Sequence, residues 1–128
     1  MRFVGIDYGK KRVGVALSDT EGKFALPHAV WENGPDLMER IKALCIEKQA
    51  DGVVLGESRD LDGSANEILK EIMWLKETLS AEISIPVYLE PEFYTSVEAG
   101  RIQGKNKMHD ASAAALILKS YLERHSNK

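Results

Sequence analysis

Hydrophobic and polar positions alternate with a short period at the start of the chain and with a longer one after it. Arg2 to Asp7 is an apolar run that ends on a carboxylate and the turn Tyr8-Gly9-Lys10-Lys11. In Arg12 to Ser18, Val13, Val15 and Leu17 alternate with Gly14, Ala16 and Ser18. Period-two alternation bounded by glycine turns predicts strands. Asp19-Thr20-Glu21-Gly22 is a further turn, and a third strand is expected near Lys23 to Leu26. Three strands joined this closely pair as an antiparallel meander.

A helical spacing follows. Pro35 suits a first helical turn, and Leu37, Ile41, Leu44 and Cys45 line one face. Gly52 to Gly56 is a short apolar run of the kind buried on both faces of a parallel sheet. Ser64 and Glu67 form a capping box for a long helix with Ile68, Ile72, Leu75 and Leu79 inward. Ile85 to Leu89 predicts a last strand, and Thr95 with Glu98 caps a short helix ending near Gly104. Asp110 is expected to cap a final helix carrying Ala114, Ile117, Leu118 and Tyr121.

The order βββ-α-β-α-β-α-α implies an α/β fold: a mixed five-stranded sheet, the meander plus two parallel strands, with helices on both faces. At 128 residues, without repeats or linkers, residues 1–128 read as one domain. The opening apolar run is interrupted too early for a signal peptide, and no stretch approaches the roughly 20 apolar residues of a membrane span. A cytoplasmic protein with no membrane partner is expected. Cys45 is the only cysteine, which excludes an internal disulfide and a thiolate metal cluster. A net charge of −3 argues against a general nucleic-acid coat, but not against an enzyme with acids at its centre and bases at its rim. Lys10, Lys11 and Arg12 form one basic cluster, and Arg101, Lys105 and Lys107 another. Each is also readable as a solvated surface run.

Four carboxylates carry the candidate chemistry. Asp7 ends a strand beside a glycine turn, where an ion and a phosphate backbone can approach. Capping of that turn accounts for the same residue. Asp110 opens the Ala-rich run Ala111-Ser112-Ala113-Ala114-Ala115, whose small side chains let a helix lie close to a sheet; helix capping is the simpler account. Glu92 follows the last strand, where a surface glutamate is equally ordinary. Glu57 directly leaves the Gly52 to Gly56 strand, and the carboxyl edge of such a sheet is where ligands bind. Clustered acids without His or Cys suit Mg²⁺ or Mn²⁺. His28 is expected in a loop after Pro27 and His125 in the tail. His109 adjoins Asp110, and none of the three shows ligand spacing.

Together these residues resemble the YqgF family, pre-16S rRNA nucleases also described as Holliday-junction-resolvase-like, of the ribonuclease-H-like superfamily. Gly5-Ile6-Asp7-Tyr8-Gly9-Lys10-Lys11-Arg12-Val13-Gly14-Val15-Ala16-Leu17-Ser18-Asp19 is similar to the opening motif, with Lys10 where Thr is usual. Asp110 with Ala113, Ala114, Ile117 and Leu118 is similar to the closing Asp-x-x-Ala-Ala helix. The central Asp-Glu-Arg reads Pro91-Glu92-Phe93 here, and the usual Gly-Leu-Pro reads Gly56-Glu57-Ser58.

The resemblance implies a ribonuclease-H-like fold and a metal-dependent endonuclease, with processing of the 5′ end of precursor 16S rRNA as the leading role. Asp7, Glu92 and Asp110 would hold Mg²⁺ or Mn²⁺, with Glu57 supplementing or replacing Glu92. Lys10, Lys11, Arg12, Arg101, Lys105 and Lys107 would hold the backbone of precursor rRNA or branched DNA. The alternatives are resolvase activity on a Holliday junction, which favours a homodimer over a monomer, and a non-catalytic nucleic-acid-binding module. An actin-like phosphotransferase shares the Gly-Ile-Asp-x-Gly opening but needs two lobes.

Overall fold

β1 (Phe3–Tyr8) is the middle strand of five. The computed structural model describes residues 1–57, 67–91 and 107–125, without the side chains of Glu57, Glu67, Pro91 and residues 107–110. β2 (Arg12–Ser18) pairs antiparallel with β1, and β3 (Ala25–Glu32) antiparallel with β2. On the other side β4 (Gly52–Glu57) pairs parallel with β1, and β5 (Val87–Pro91) parallel with β4. The order β3-β2-β1-β4-β5 is the expected meander extended by two parallel strands.

Helices α1 (Leu37–Glu47) and α2 (Glu67–Glu82) cover one face, and α3 (Lys107–His125) the other. Under α1 and α2 lie Val4, Ile6, Val13, Val15, Val53 and Leu55, packed against Ile41, Ile72, Leu75 and Leu79. Under α3, Ala16 and Val54 meet Ala114, Ile117, Leu118 and Tyr121. Val53 and Val54 thus serve opposite faces, which is why β4 reads as an unbroken apolar run. Ile117 and Leu118 are fully buried, a contribution of roughly 1.5–3 kcal/mol each. That exceeds any helix propensity, so packing holds α3 in place.

Four boundaries differ from the sequence reading. β3 does not stop at Leu26 but continues to Glu32, so His28 lies in a strand and not in a loop. The register passes from Val15↔Ala29 to Ala16↔Pro27, leaving His28 as the extra residue of a bulge. Proline is tolerated at a bulge of an edge strand, where its missing N–H disrupts no ladder. β5 begins at Val87, because Ser84 and Ile85 lie in a bend before Pro86. Its register with β4 instead runs on through Gly56↔Glu90 and Glu57↔Pro91. Glu57 is therefore the last residue of β4 and not the first beyond it. Finally, the chain is already helical at Lys107, so Asp110 is not the N-cap of α3 but its fourth described residue. The Ser64 capping residue and the helix expected from Thr95 to Gly104 lie outside the described residues.

Candidate active site

The carboxyl ends of β1, β4 and β5 share one rim of the sheet, and Asp7 stands there, half-buried. Across β2 its partner is Gly14. On the β4 side the register runs Gly5↔Val54 and Ile6↔Leu55, and one step further brings Asp7 level with Gly56. Both strand neighbours of Asp7 are thus glycines.

α3 comes close to this rim because Gly5 admits it. A β-carbon built on Gly5 would stand 2.8 Å from Leu118 Cβ and 3.2 Å from the Ala114 carbonyl oxygen. Farther along, Tyr121 meets Phe3 edge-on, with ring centroids 5.5 Å apart. α3 therefore runs antiparallel to β1. From Ala114 back to Asp110 is one turn, about 6 Å along the helix. From Gly5 forward to Asp7 is about 6.6 Å along the strand. The backbone of the first turn of α3 therefore passes over the Asp7 end of β1.

The turn leaving Asp7 is tied down from two sides. The Asn33 side chain donates from Nδ2 to the Gly9 carbonyl at 2.8 Å, and its backbone N–H donates to the Lys11 carbonyl at 2.9 Å. The Tyr8 hydroxyl donates to Glu71 Oε1 of α2 at 2.8 Å. Burial pushes the Tyr8 phenol above its ordinary pKa; the nearby Asn33 amide pulls it back in part, and the Glu71 carboxylate pushes it up again. A β-carbon on Gly9 would stand 2.5 Å from the Arg12 carbonyl oxygen, so the tight turn needs glycine there. Lys10 and Lys11 sit exposed on this turn, with Arg12 half-buried at its end.

The donor chemistry at this rim fits a hard divalent cation. Asp7 is an oxygen donor whose strand neighbours are glycines, and the softer ligands whose side chains are described stand elsewhere. His28 is on the outer strand β3, His125 ends α3, and Cys45 is on the buried face of α1. Among the described residues no three His, Cys, Asp or Glu side chains are grouped to hold a metal, and Asp7 is the one proposed ligand whose side chain is described.

Residues 1–124 match the model of the RuvX family, described as a Holliday junction resolvase. The chain belongs to the RuvX family, the YqgF family of the sequence motifs. Relatives include proteins named "Putative pre-16S rRNA nuclease" from Ehrlichia ruminantium and Thermoanaerobacter pseudethanolicus. The first is 31% identical over 95% of this chain and 85% of its own. The second is 33% identical over the whole of both chains. Among solved structures, T. thermophilus RuvC in complex with Holliday junction substrate superposes with a TM-score of 0.66 at 16% identity, covering 99% of this chain and 97% of that one. The fold is ribonuclease-H-like.

Within this RuvX family chain, the structure describes only part of the expected residue set. Asp7, Lys10, Lys11 and Arg12 share the rim. Glu57 and Asp110 are placed by backbone alone, Glu57 paired with Pro91 on the last rung and Asp110 in the first turn of α3. Glu92, Arg101 and Lys105 lie outside the described residues, and of Lys107 only the backbone is described. No helix among the described residues is long and apolar enough to cross a membrane.

Sequence reasoning missed two features. Asn33 looks like an ordinary loop residue, and its partners lie 22 and 24 positions back along the chain. Glu90 is 2% exposed, accepts from Ser120 Oγ at 2.7 Å, and pairs with Arg124 at 3.1 Å. Its signal was a lone acid at an even position of β5, on the α3 face beside Tyr88, which stacks on Tyr121.

Proposed function

We propose that this RuvX family protein is a divalent-metal-dependent endonuclease acting on structured nucleic acid, with the 5′ end of precursor 16S rRNA as its leading substrate. The observation that carries this reading is Asp7 at the carboxyl end of the central strand, flanked by Gly14 and level with Gly56. The first turn of α3 comes in above it. A nuclease centre needs an anionic oxygen ligand at a strand end that an ion and a phosphate can approach.

Asp7, Glu92 and Asp110 would hold Mg²⁺ or Mn²⁺, with Glu57 as a further acid on the neighbouring strand. When bound, the ion supplies Lewis-acid stabilisation at a phosphate oxygen and eases deprotonation of water. The chain's own part is to gather the carboxylates on one rim and hold the strand. Lys10, Lys11, Arg12, Arg101, Lys105 and Lys107 would grip backbone phosphates, which positions a substrate without reading its sequence. Names of relatives 31% and 33% identical over nearly their whole length support precursor rRNA.

A second reading, cleavage of four-way DNA junctions, is supported by the RuvX description and by the junction-bound RuvC neighbour. It would call for a two-fold dimer, so that two strands are cut symmetrically. Purified protein should be incubated with Mg²⁺ on precursor 16S rRNA and on a four-way junction side by side. Cleavage of the RNA at its 5′ end supports the first reading and junction cleavage alone the second. Cleavage of neither, under conditions where wild type binds both, leaves a binding module.

A further inference from the structure

The turn between β1 and β2 carries two exposed lysines next to Asp7, and flexible lysines are poor positioning devices unless their backbone is fixed. Here it is fixed by side chains distant in sequence. Asn33, directly after β3, holds the Gly9 carbonyl through Nδ2 and the Lys11 carbonyl through its N–H. Tyr8 bridges from the turn to Glu71, one turn into the described part of α2. The turn is thus held at Gly9 and Lys11 by Asn33 and at Tyr8 by Glu71, two independent sets of hydrogen bonds. Three separate elements, the β1–β2 turn, the residue after β3 and α2, are locked together beside the rim. Gly9, where a β-carbon would run into the Arg12 carbonyl, lets the turn close tightly enough for this.

We infer that Asn33, with Tyr8 and Glu71, is a positioning residue that preorganises the Lys10-Lys11 turn as a clamp for a backbone phosphate flanking the cleaved one. This inference rests on the nuclease reading above, because it assigns the turn to that same substrate. Asn33 acts through the lysines: without Nδ2 the Gly9 carbonyl loses its donor and the turn is free to shift, but no charge is removed. Ordering a group before binding raises affinity by reducing what must be ordered on binding. The contribution of Asn33 therefore exists only while the lysines are present to use it.

The test is a double-mutant cycle on nucleic-acid binding. Fluorescence anisotropy would follow a labelled stem-loop RNA and, separately, a labelled four-way DNA junction, with Ca²⁺ replacing Mg²⁺ to suppress cleavage. Lys10→Ala/Lys11→Ala should weaken binding and lower the salt slope by about 0.7–1.8, the loss of one to two phosphate contacts. Asn33→Ala alone should weaken binding about 3- to 10-fold, with a smaller change in salt slope than the lysine pair. Added to the lysine pair, Asn33→Ala should have no further effect, whereas general damage to the fold would weaken binding equally in both backgrounds. Tyr8→Phe, which keeps the ring and removes the hydroxyl, should follow Asn33→Ala in sign. If wild type binds and Asn33→Ala binds as well as wild type, or loses as much with the lysines absent, the inference fails and the nuclease reading stands. Wild type binding neither probe overturns both.

Discussion

Leu118 of α3 lies directly on Gly5 of β1: a β-carbon on Gly5 would stand 2.8 Å from Leu118 Cβ. No real β-carbon sits that close, and the obstacle is the root of a side chain on a packed helix, not its flexible end. Gly5→Ala is therefore expected to push α3 off the sheet or strain it, at a cost of about 1–3 kcal/mol. Gly5→Val should cost more. Urea unfolding measures this directly, and a Gly5→Ala variant as stable as wild type would mean that α3 does not seat as described.

Asp7→Asn keeps the shape of the side chain and removes its charge. Changing a residue that merely supports a metal ligand typically costs 10–100-fold in metal affinity or activity, so loss of a direct ligand should lower Mg²⁺-dependent cleavage by more than about 100-fold. Circular dichroism should show an unchanged fold. A variant cleaving within a few-fold of wild type removes Asp7 from the proposed centre.

Asp110 stands in the fourth described position of α3, not at its cap. Capping loss, worth about 0.5–2 kcal/mol, is therefore not expected on substitution. Asp110→Ala should change stability by less than about 1 kcal/mol, since the gain in helix propensity and the loss of an acid near the positive helix end oppose each other. A matched pair of unfolding and cleavage measurements on Asp110→Ala and Asp110→Asn would then read function apart from folding. Loss of cleavage in both, at near wild-type stability, is the outcome expected of a ligand.

Glu90 is a buried carboxylate whose cation, Arg124, is itself 58% exposed. Truncating Arg124 to Ala leaves Glu90 with Ser120 as its hydrogen-bond partner among the described residues. The expected cost is about 1–3 kcal/mol, the lower end reflecting solvent around the arginine. Glu90→Gln combined with Arg124→Ala should recover part of that loss, because no bare charge is then left buried. Non-additivity of this kind is read from chemical denaturation of the two single variants and the double.

Burial pushes the Cys45 thiol up from 9.0 to about 11. Its raised folded value means that the stability tied to the protonated thiol is present in full below about pH 9. It is lost as the pH climbs towards about 11, because the unfolded chain releases the proton first. Iodoacetamide should label native Cys45 far more slowly at pH 8 than the urea-unfolded chain. Equal rates would place the thiol at the surface.

Local pattern determined most of this fold. Alternation in Arg12 to Ser18 and the apolar run of β4 were enough to order the strands, because side-chain period and burial are local consequences of backbone geometry. The opening motif and the Ala-rich helix start single out Asp7 and Asp110 as candidates in the same local way. What sequence pattern misjudged were interruptions whose meaning depends on a neighbour. Pro27 reads as a terminator, yet an edge strand with a bulge accommodates it. Asp110 reads as a cap, yet the helix is already formed at Lys107.

Only the tertiary structure decided how Asp7 is surrounded. Gly14 and the level position Gly56 are glycines seven and 49 residues away, and strand register alone makes them its neighbours. Asn33 becomes the anchor of the Lys10-Lys11 turn by the same route, through bonds that close loops of more than twenty residues. Glu90 finds Arg124 only when α3 packs across β5. Periodicity encodes which face of an element is buried. It does not encode which distant residue completes a hydrogen bond or leaves a space, because that is settled by packing the elements together.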